Sequence, residues 1–471
     1  MHDVVVIGGG FGGLGAALAL AERGARVALI ERVGYLGGCA ATFERRGARY
    51  EAGATMLAGL GEGQLLRRVI DRHALPVVLD PVDPVLELRW GDAPLVVPAS
   101  RAQFVDRLCA WPGAPVDAVR GALAQQARLA DALWGLFDDP TLLPPWSVGS
   151  FARLVGRSPG LAPLARWLGR PLRDWLGAWG LLGFTPLVQA AEALCQVTVQ
   201  TNIAEAEAPF GLAALDFLFR GIRHVRGGIG ELTGALGDAV VRSGGDVHLL
   251  RACTGLRRDG EGWVVSTRRG ELRAAQVVAD LAPHAVRELL GRSTPRLDRL
   301  AGRVEEGWGA VMSYRQVSGD GLPADAFHLD LTRDPAKPRI DGNHVLVSVS
   351  EARPDGIRTA TCSTHVRPGG DPKATAERAL LALQETLVVR APEIVAATTH
   401  ELPASPRTFA RFTGRPGGWV GGVPRRHGLG AYRELFPAPI EPGLWLVGDA
   451  VLLGQSTLAT FIGGLRTAEA L

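Results

Sequence analysis

Four apolar residues, Val4 to Ile7, stand almost at the start of the chain, and glycines follow at positions 8, 10 and 13. No other feature restricts the fold as much. A short, wholly apolar run reads as a strand buried on both faces. Gly8 permits a tight turn, Gly10 lets the backbone approach a pyrophosphate, and Gly13 lets a helix pack closely on the strand. The pattern predicts a helix from about Gly12 to Arg23 with Ala17 facing the sheet, ended by Gly24. A second strand, Val27 to Ile30, ends at Glu31. The 23 residues from Gly8 to Glu31 match the span of a dinucleotide-binding unit. The helix start offers free N–H groups and partial positive charge to the pyrophosphate. Glu31 is placed to accept hydrogen bonds from ribose hydroxyls, and its charge disfavours the extra phosphate of NADP.

The far end raises the same chemistry. Leu444 to Val447 is another apolar strand, ending at Gly448-Asp449. A carboxylate at a strand end is suited to a ribityl hydroxyl of FAD. Ser456 and Thr457 form an N-cap pair for a last helix. The start of that helix would face the pyrimidine edge of a flavin, where negative charge grows on reduction. A transient NAD accounts for one of these segments; a resident FAD accounts for both. Between them, RGGIGELTGALGDAVVRSGGDVHLL reads as turn, amphipathic helix and strand. A hairpin from about Gly260 to Arg273 and a strand from Val277 to Asp280 follow.

The totals exclude several classes. At 471 residues, two or three structural units are expected. A net charge of +3 gives no reason to invoke nucleic acid. Basic residues are 49 arginines and two lysines, Lys337 and Lys373, which reads as compositional bias. The five cysteines contain no CxxC pair, so neither zinc nor a disulfide framework is expected. The first strand begins at once, and no run of about 20 apolar residues occurs, so the expectation is a cytoplasmic protein without a spanning helix.

Gly37-Gly38, followed by Cys39 and then YEAGATMLAGL, resembles the FAD-containing oxidoreductases that include amine oxidases and carotenoid desaturases. The wording GGCA is closer to carotenoid desaturases and isomerases. Many members carry an arginine two positions before the glycine pair; this chain has Tyr35. The segment TGRPGGWVGGVP resembles one in bacterial carotenoid desaturases related to the isomerases, and the chain as a whole most resembles bacterial carotenoid 3,4-desaturases, siblings of phytoene desaturase. The resemblance implies an α/β fold: a Rossmann-type, glutathione-reductase-like FAD domain (1–75, 222–290 and 431–471) with an interleaved α+β substrate domain (76–221 and 291–430). It also implies that backbone near Cys253 contacts the adenine.

The implied reaction removes two hydrogens from an acyclic carotenoid and extends its conjugation, with oxygen or a quinone reoxidising the flavin. Rivals on the same fold are a carotenoid cis–trans isomerase, a polyene or retinol saturase, and a flavin-less prenyl-lipid escort protein. Trp134, Trp146, Trp167, Trp175 and Trp179 interleave with Arg166, Arg170 and Arg173, which suggests peripheral attachment to a membrane surface. The stretches HVLVSVS and TATCSTHV alternate as antiparallel strands of a substrate cavity. No catalytic residue emerges: Glu205 and Glu207 read as helix-start carboxylates, and His224 and His427 are isolated. No metal site is expected.

Overall fold

The computed structural model describes residues 1–471 except 320, 354, 355, 370 and 452. Two eight-stranded sheets organise the chain. The first holds the expected strands. His2–Ile7 lies parallel between Val27–Ile30 and the long strand Gly270–Asp280. Asp246–His248 extends one edge, and Cys253–Asp259 and Gly262–Thr267 extend the other. Leu444–Val447 pairs in parallel with residues 277–280. The apolar runs are buried on both faces, as parallel strands require. Val5, Ile7, Ala28 and Ile30 pack to one side with Trp263 and Leu444. Val4, Val6, Val27 and Leu29 pack to the other against Leu14, Ala17 and Leu18 of the glycine helix, Phe11–Glu22.

The two ends of the chain meet backbone to backbone. The C-terminal helix, Thr457–Ala470, lies against the glycine helix. A Cβ on Gly464 would stand 2.1 Å from the Gly12 carbonyl oxygen, and one on Gly15 2.5 Å from that of Phe461. Only glycine allows so close a crossing.

The second sheet runs in the order 398–404, 308–317, 358–366, 344–349, 327–332, 86–89, 95–97. HVLVSVS and TATCSTHV supply two neighbouring antiparallel strands, His344–Val349 and Arg358–Val366. One face packs Leu331, Val345, Val347 and Cys362 against Leu383 and Leu387 of the helix Pro372–Arg390. The other face looks toward the first sheet. A helical lobe from Arg101 to Asp216 covers the space between, beginning with Arg101–Cys109 and Val116–Asp138.

Four of the five tryptophans do not form an interfacial belt. Trp134, Trp167 and Trp175 are buried in the lobe and Trp179 is half-buried. The indole N–H groups of Trp175 and Trp179 both donate to Gln125 Oε1, at 2.8 and 3.1 Å. Arg166, Arg170 and Arg173 are exposed. Their neighbouring aromatic rings serve the lobe's own core, which corrects the reading made from residue type alone. Exposed apolar surface lies elsewhere. The helix Val148–Leu161 has one buried residue, Ser150, and presents Val148, Phe151 and Val155 along one side. Trp146 sits edge-on to both Phe151 and Phe436, at ring separations of 5.7 Å. Among the described residues, no helix is long and apolar enough to cross a membrane.

Candidate functional site

A cavity of about 850 Å³ runs between the two sheets. One end is the glycine cradle. Gly8 and Gly10 line it from the first turn, and Gly37 and Gly38 from the second. Gly37 N–H donates to the Gly9 carbonyl at 2.7 Å, which locks the two turns together. Gly37 and Gly38 hold φ of +114° and +61°, so that turn requires glycine. Gly13 is set back from the cavity. A Cβ there would lie 2.0 Å from the Gly8 carbonyl oxygen, so its role is to let helix and strand close up.

Glu31 is buried at the end of its strand and lines the same cavity. Its Oε2 accepts from Gly9 N–H at 2.9 Å and its Oε1 from Val33 N–H at 3.0 Å. Burial raises its pKa, and those backbone donors offset part of the rise. Each oxygen keeps a further lone pair for a ribose hydroxyl. Tyr35, two positions before the glycine pair, lines the cavity wall. Cys253 lies near the same end, its thiol pushed up to about 11 by burial.

Gly448, Asp449 and Thr457 line the middle of the cavity. Ser456 caps the last helix, its side chain accepting from Ala459 N–H at 3.0 Å. Its φ of +118° is a region that side-chain-bearing residues avoid, and such strain clusters at functional sites. All ten residues selected from the sequence therefore converge: nine line the cavity and Gly13 supports it.

Two further residues complete the cradle. Arg415, from the TGRP segment, places Nη1 2.8 Å from Asp449 Oδ2. Burial alone would lower this guanidinium; Asp449, Cys39 and Asp280 beside it outweigh that and raise it. Asp280 ends its strand against the glycine helix, where Oδ2 accepts from Gly13 N–H at 2.9 Å. Burial raises its carboxyl to about 6, against the Gly13 donor and Arg415. Like Asp449, Asp280 is a carboxylate at the end of a parallel strand, and so carries the same signal in the sequence. Arg415 had only its place in the quoted segment to mark it.

The remaining candidates lie outside the cavity wall. Glu207 caps the helix Ala208–Asp216 and also accepts from Gly169 N–H and the Tyr432 hydroxyl. Glu205 pairs with Arg426 at 2.7 Å. His224 pairs with Glu351 at 2.7 Å, and His427 is exposed.

The far half of the cavity is mainly apolar, walled by Met56, Phe217, Ala310, Met312, Leu346 and Leu402. The residues fit a flavin dinucleotide on two observations. The cradle leaves no room for Cβ atoms at Gly10 or Gly12, where an added carbon would meet the Asp280 carboxylate at 2.5 and 3.0 Å. The buried amide oxygens Gln200 Oε1 and Gln455 Oε1, in side chains of the wall, find no donor among the described residues. Such groups are costly unless a ligand satisfies them.

Fold and site together define a Rossmann-type dinucleotide-binding protein. Residues 6–73 match the NAD(P)-binding Rossmann-like domain. The chain is 23% identical to a chloroplastic prolycopene isomerase of Arabidopsis thaliana, over 100% of this chain and 82% of that protein. It is 24% identical to a 4,4'-diapophytoene desaturase of Methylomonas sp, over 61% of this chain and 55% of that one. An oxidoreductase of Methanosarcina mazei shares the fold with a TM-score of 0.66, at 16% identity and 99% coverage of both chains. Over its whole length, the chain is similar to proteins that include carotenoid isomerases and, over part of it, carotenoid desaturases.

Proposed function

We propose that the protein binds FAD and removes two hydrogens from an acyclic carotenoid, extending its conjugated polyene. One observation carries the reading: a single cavity joins the dinucleotide cradle to an apolar compartment between the sheets. Gly8, Gly10 and the start of the glycine helix would hold the pyrophosphate, Glu31 a ribose, and Asp449 a ribityl hydroxyl. Bound flavin supplies hydride acceptance, and the protein supplies orientation and dryness. Arg415 neutralises Asp449 and faces Asp280, so the middle of the cradle does not carry two uncompensated carboxylates. Met312, Leu346 and Leu402 exclude water from the polyene and keep it extended beside the ring.

The full-length similarity to a prolycopene isomerase favours a second reading, cis–trans isomerisation. Product mass separates the readings. Acyclic carotenoids in liposomes are incubated with the FAD-loaded protein: loss of two hydrogens supports the desaturase, unchanged mass with a shifted spectrum supports the isomerase, and gain of two hydrogens indicates a saturase. A colourless protein that cannot be reconstituted with flavin would instead point to a lipid escort.

The substrate is delivered from a membrane surface on this reading. The patch formed by Val148, Phe151 and Val155, with Trp146 and Phe436 beside it, supplies the contact, and Arg153 and Arg157 on the same helix supply charge.

A further inference from the structure

A second cavity, of about 820 Å³, lies beside the first, and Glu51, His224, His328 and Glu351 stand in its wall. Thr55 belongs to the walls of both cavities. Its Oγ1 accepts from the Ser348 hydroxyl at 2.7 Å. Ser348 Oγ in turn stands 2.8 Å from His328 Nδ1. The last contact is built into the sheet, because His328 and Ser348 are directly opposed across two antiparallel strands. The three side chains thus form an unbroken hydrogen-bonded line that starts at the dinucleotide cavity and ends at the second one.

We propose that Thr55, Ser348 and His328 conduct protons between the two cavities. The proposal rests on the oxidoreductase reading above, which creates one proton for every hydride removed. A hydroxyl has one hydrogen and can both give and take, as can a neutral imidazole with its two unlike nitrogens. With the Ser348 hydrogen directed at Thr55, Nδ1 of His328 must carry the ring hydrogen and donate to Ser348. Rotating the two hydroxyls and moving the ring hydrogen to Nε2 gives the opposite polarity with the same heavy-atom positions. In that second state the line is set to export a proton. As the second C–H bond breaks, its electron pair becomes the new C=C bond, and the hydride from the first has gone to the bound flavin. The proton passes to Thr55 while Thr55 hands its own to Ser348, Ser348 its own to Nδ1, and Nε2 its own to water in the second cavity. Burial, with His224 nearby, holds the His328 imidazole down at about 3. It therefore stays neutral, as a relay must, and does not trap the charge. Glu51, raised to about 7 by burial in the same polar cavity, is a suitable temporary acceptor.

Two measurements test the conduit. In protein labelled with 15N-histidine, with the His328 signal assigned by His328→Gln, the resting wild type should show hydrogen on Nδ1. Thr55→Val keeps the shape but removes the acceptor of Ser348, whose hydroxyl then turns to His328, so the hydrogen should appear on Nε2. An unchanged tautomer overturns the proposal, and this test needs neither flavin nor turnover. In a lightly buffered single turnover with a pH indicator, wild-type protons should appear together with product. Thr55→Val and Ser348→Ala should delay them by about a hundredfold, and Thr55→Ser should restore them. Equal proton release in Thr55→Val and wild type overturns the conduit. A wild type that converts no carotenoid refutes the functional reading instead and leaves the tautomer result to decide this one.

Discussion

Arg415 and Asp449 make an ion pair, Nη1 to Oδ2 at 2.8 Å, with both side chains largely buried in the middle of the cavity wall. Arg415 comes from the TGRP turn between two strands of the second sheet, Thr398–Ala404 and Trp419–Val420, and Asp449 from the end of a strand in the first. The pair therefore joins the nucleotide cradle to the wall of the apolar compartment. Removing the arginine leaves Asp449 and Asp280 facing the incoming pyrophosphate without a counter-charge. Loss of a buried, charge-assisted hydrogen bond costs about 2 kcal/mol. Arg415→Ala should accordingly purify with about a tenth or less of the flavin held by the wild type, read from the absorbance spectrum. Wild-type flavin content in that variant would show that the pair has no part in the cradle.

Asp280 makes the cradle sensitive to pH. Its carboxyl is raised from 3.8 to about 6 in the folded protein, so between those values the folded state binds more protons than the unfolded state. Its contribution to stability is thus greatest at low pH, is lost as pH rises from about 4 to about 6, and is flat beyond. The change is on the order of 3 kcal/mol. Urea titrations of wild type and Asp280→Asn across this range should differ by a slope of that sign. A parallel pair of profiles would contradict it.

The glycines of the fingerprint differ in what they do. Gly13→Ala would push a Cβ to within 2.0 Å of the Gly8 carbonyl oxygen in the packed interior, at a cost of roughly 3 kcal/mol. Gly24→Ala meets nothing within 4 Å and carries only the strain of φ +80°, about 1 kcal/mol. Equilibrium denaturation should rank Gly13→Ala well below Gly24→Ala; equal losses would mean that the helix has room to move away from its strand.

On the proposed function, membrane contact falls to the helix 148–161 and not to the buried tryptophans. The double substitution Phe151→Ser with Val155→Ser should reduce co-sedimentation with anionic liposomes while leaving thermal stability near wild type, since both side chains are more than half exposed. Trp175→Ala should do the reverse, lowering stability by about 3–5 kcal/mol. Undiminished liposome binding by the double variant would move the contact elsewhere.

What could be read directly was what depends on neighbours in the chain. The strand, glycine turn, helix and carboxylate from Val4 to Glu31 lie within one supersecondary unit, so spacing and residue type were enough. The same holds for the strand end at Asp449 and the cap at Ser456. Asp280 was placed correctly at a strand end, but nothing local marks that end as pointing into the cradle; its neighbour there, Gly13, is 267 positions away.

The amino-acid order by itself determined a dinucleotide-binding unit at the start of the chain, and the strand end and helix start near its last residues, because backbone conformation, helix starts and burial period are short-range properties. Only the tertiary structure decided which charges share that site, and that Thr55, after the strand Ala48–Glu51, meets Ser348 of the second sheet and through it His328. It also decided that tryptophans suited to a surface are core residues. Those outcomes depend on which faces pack together, and a side chain of given type has the same local sequence whether its face is covered or left to solvent.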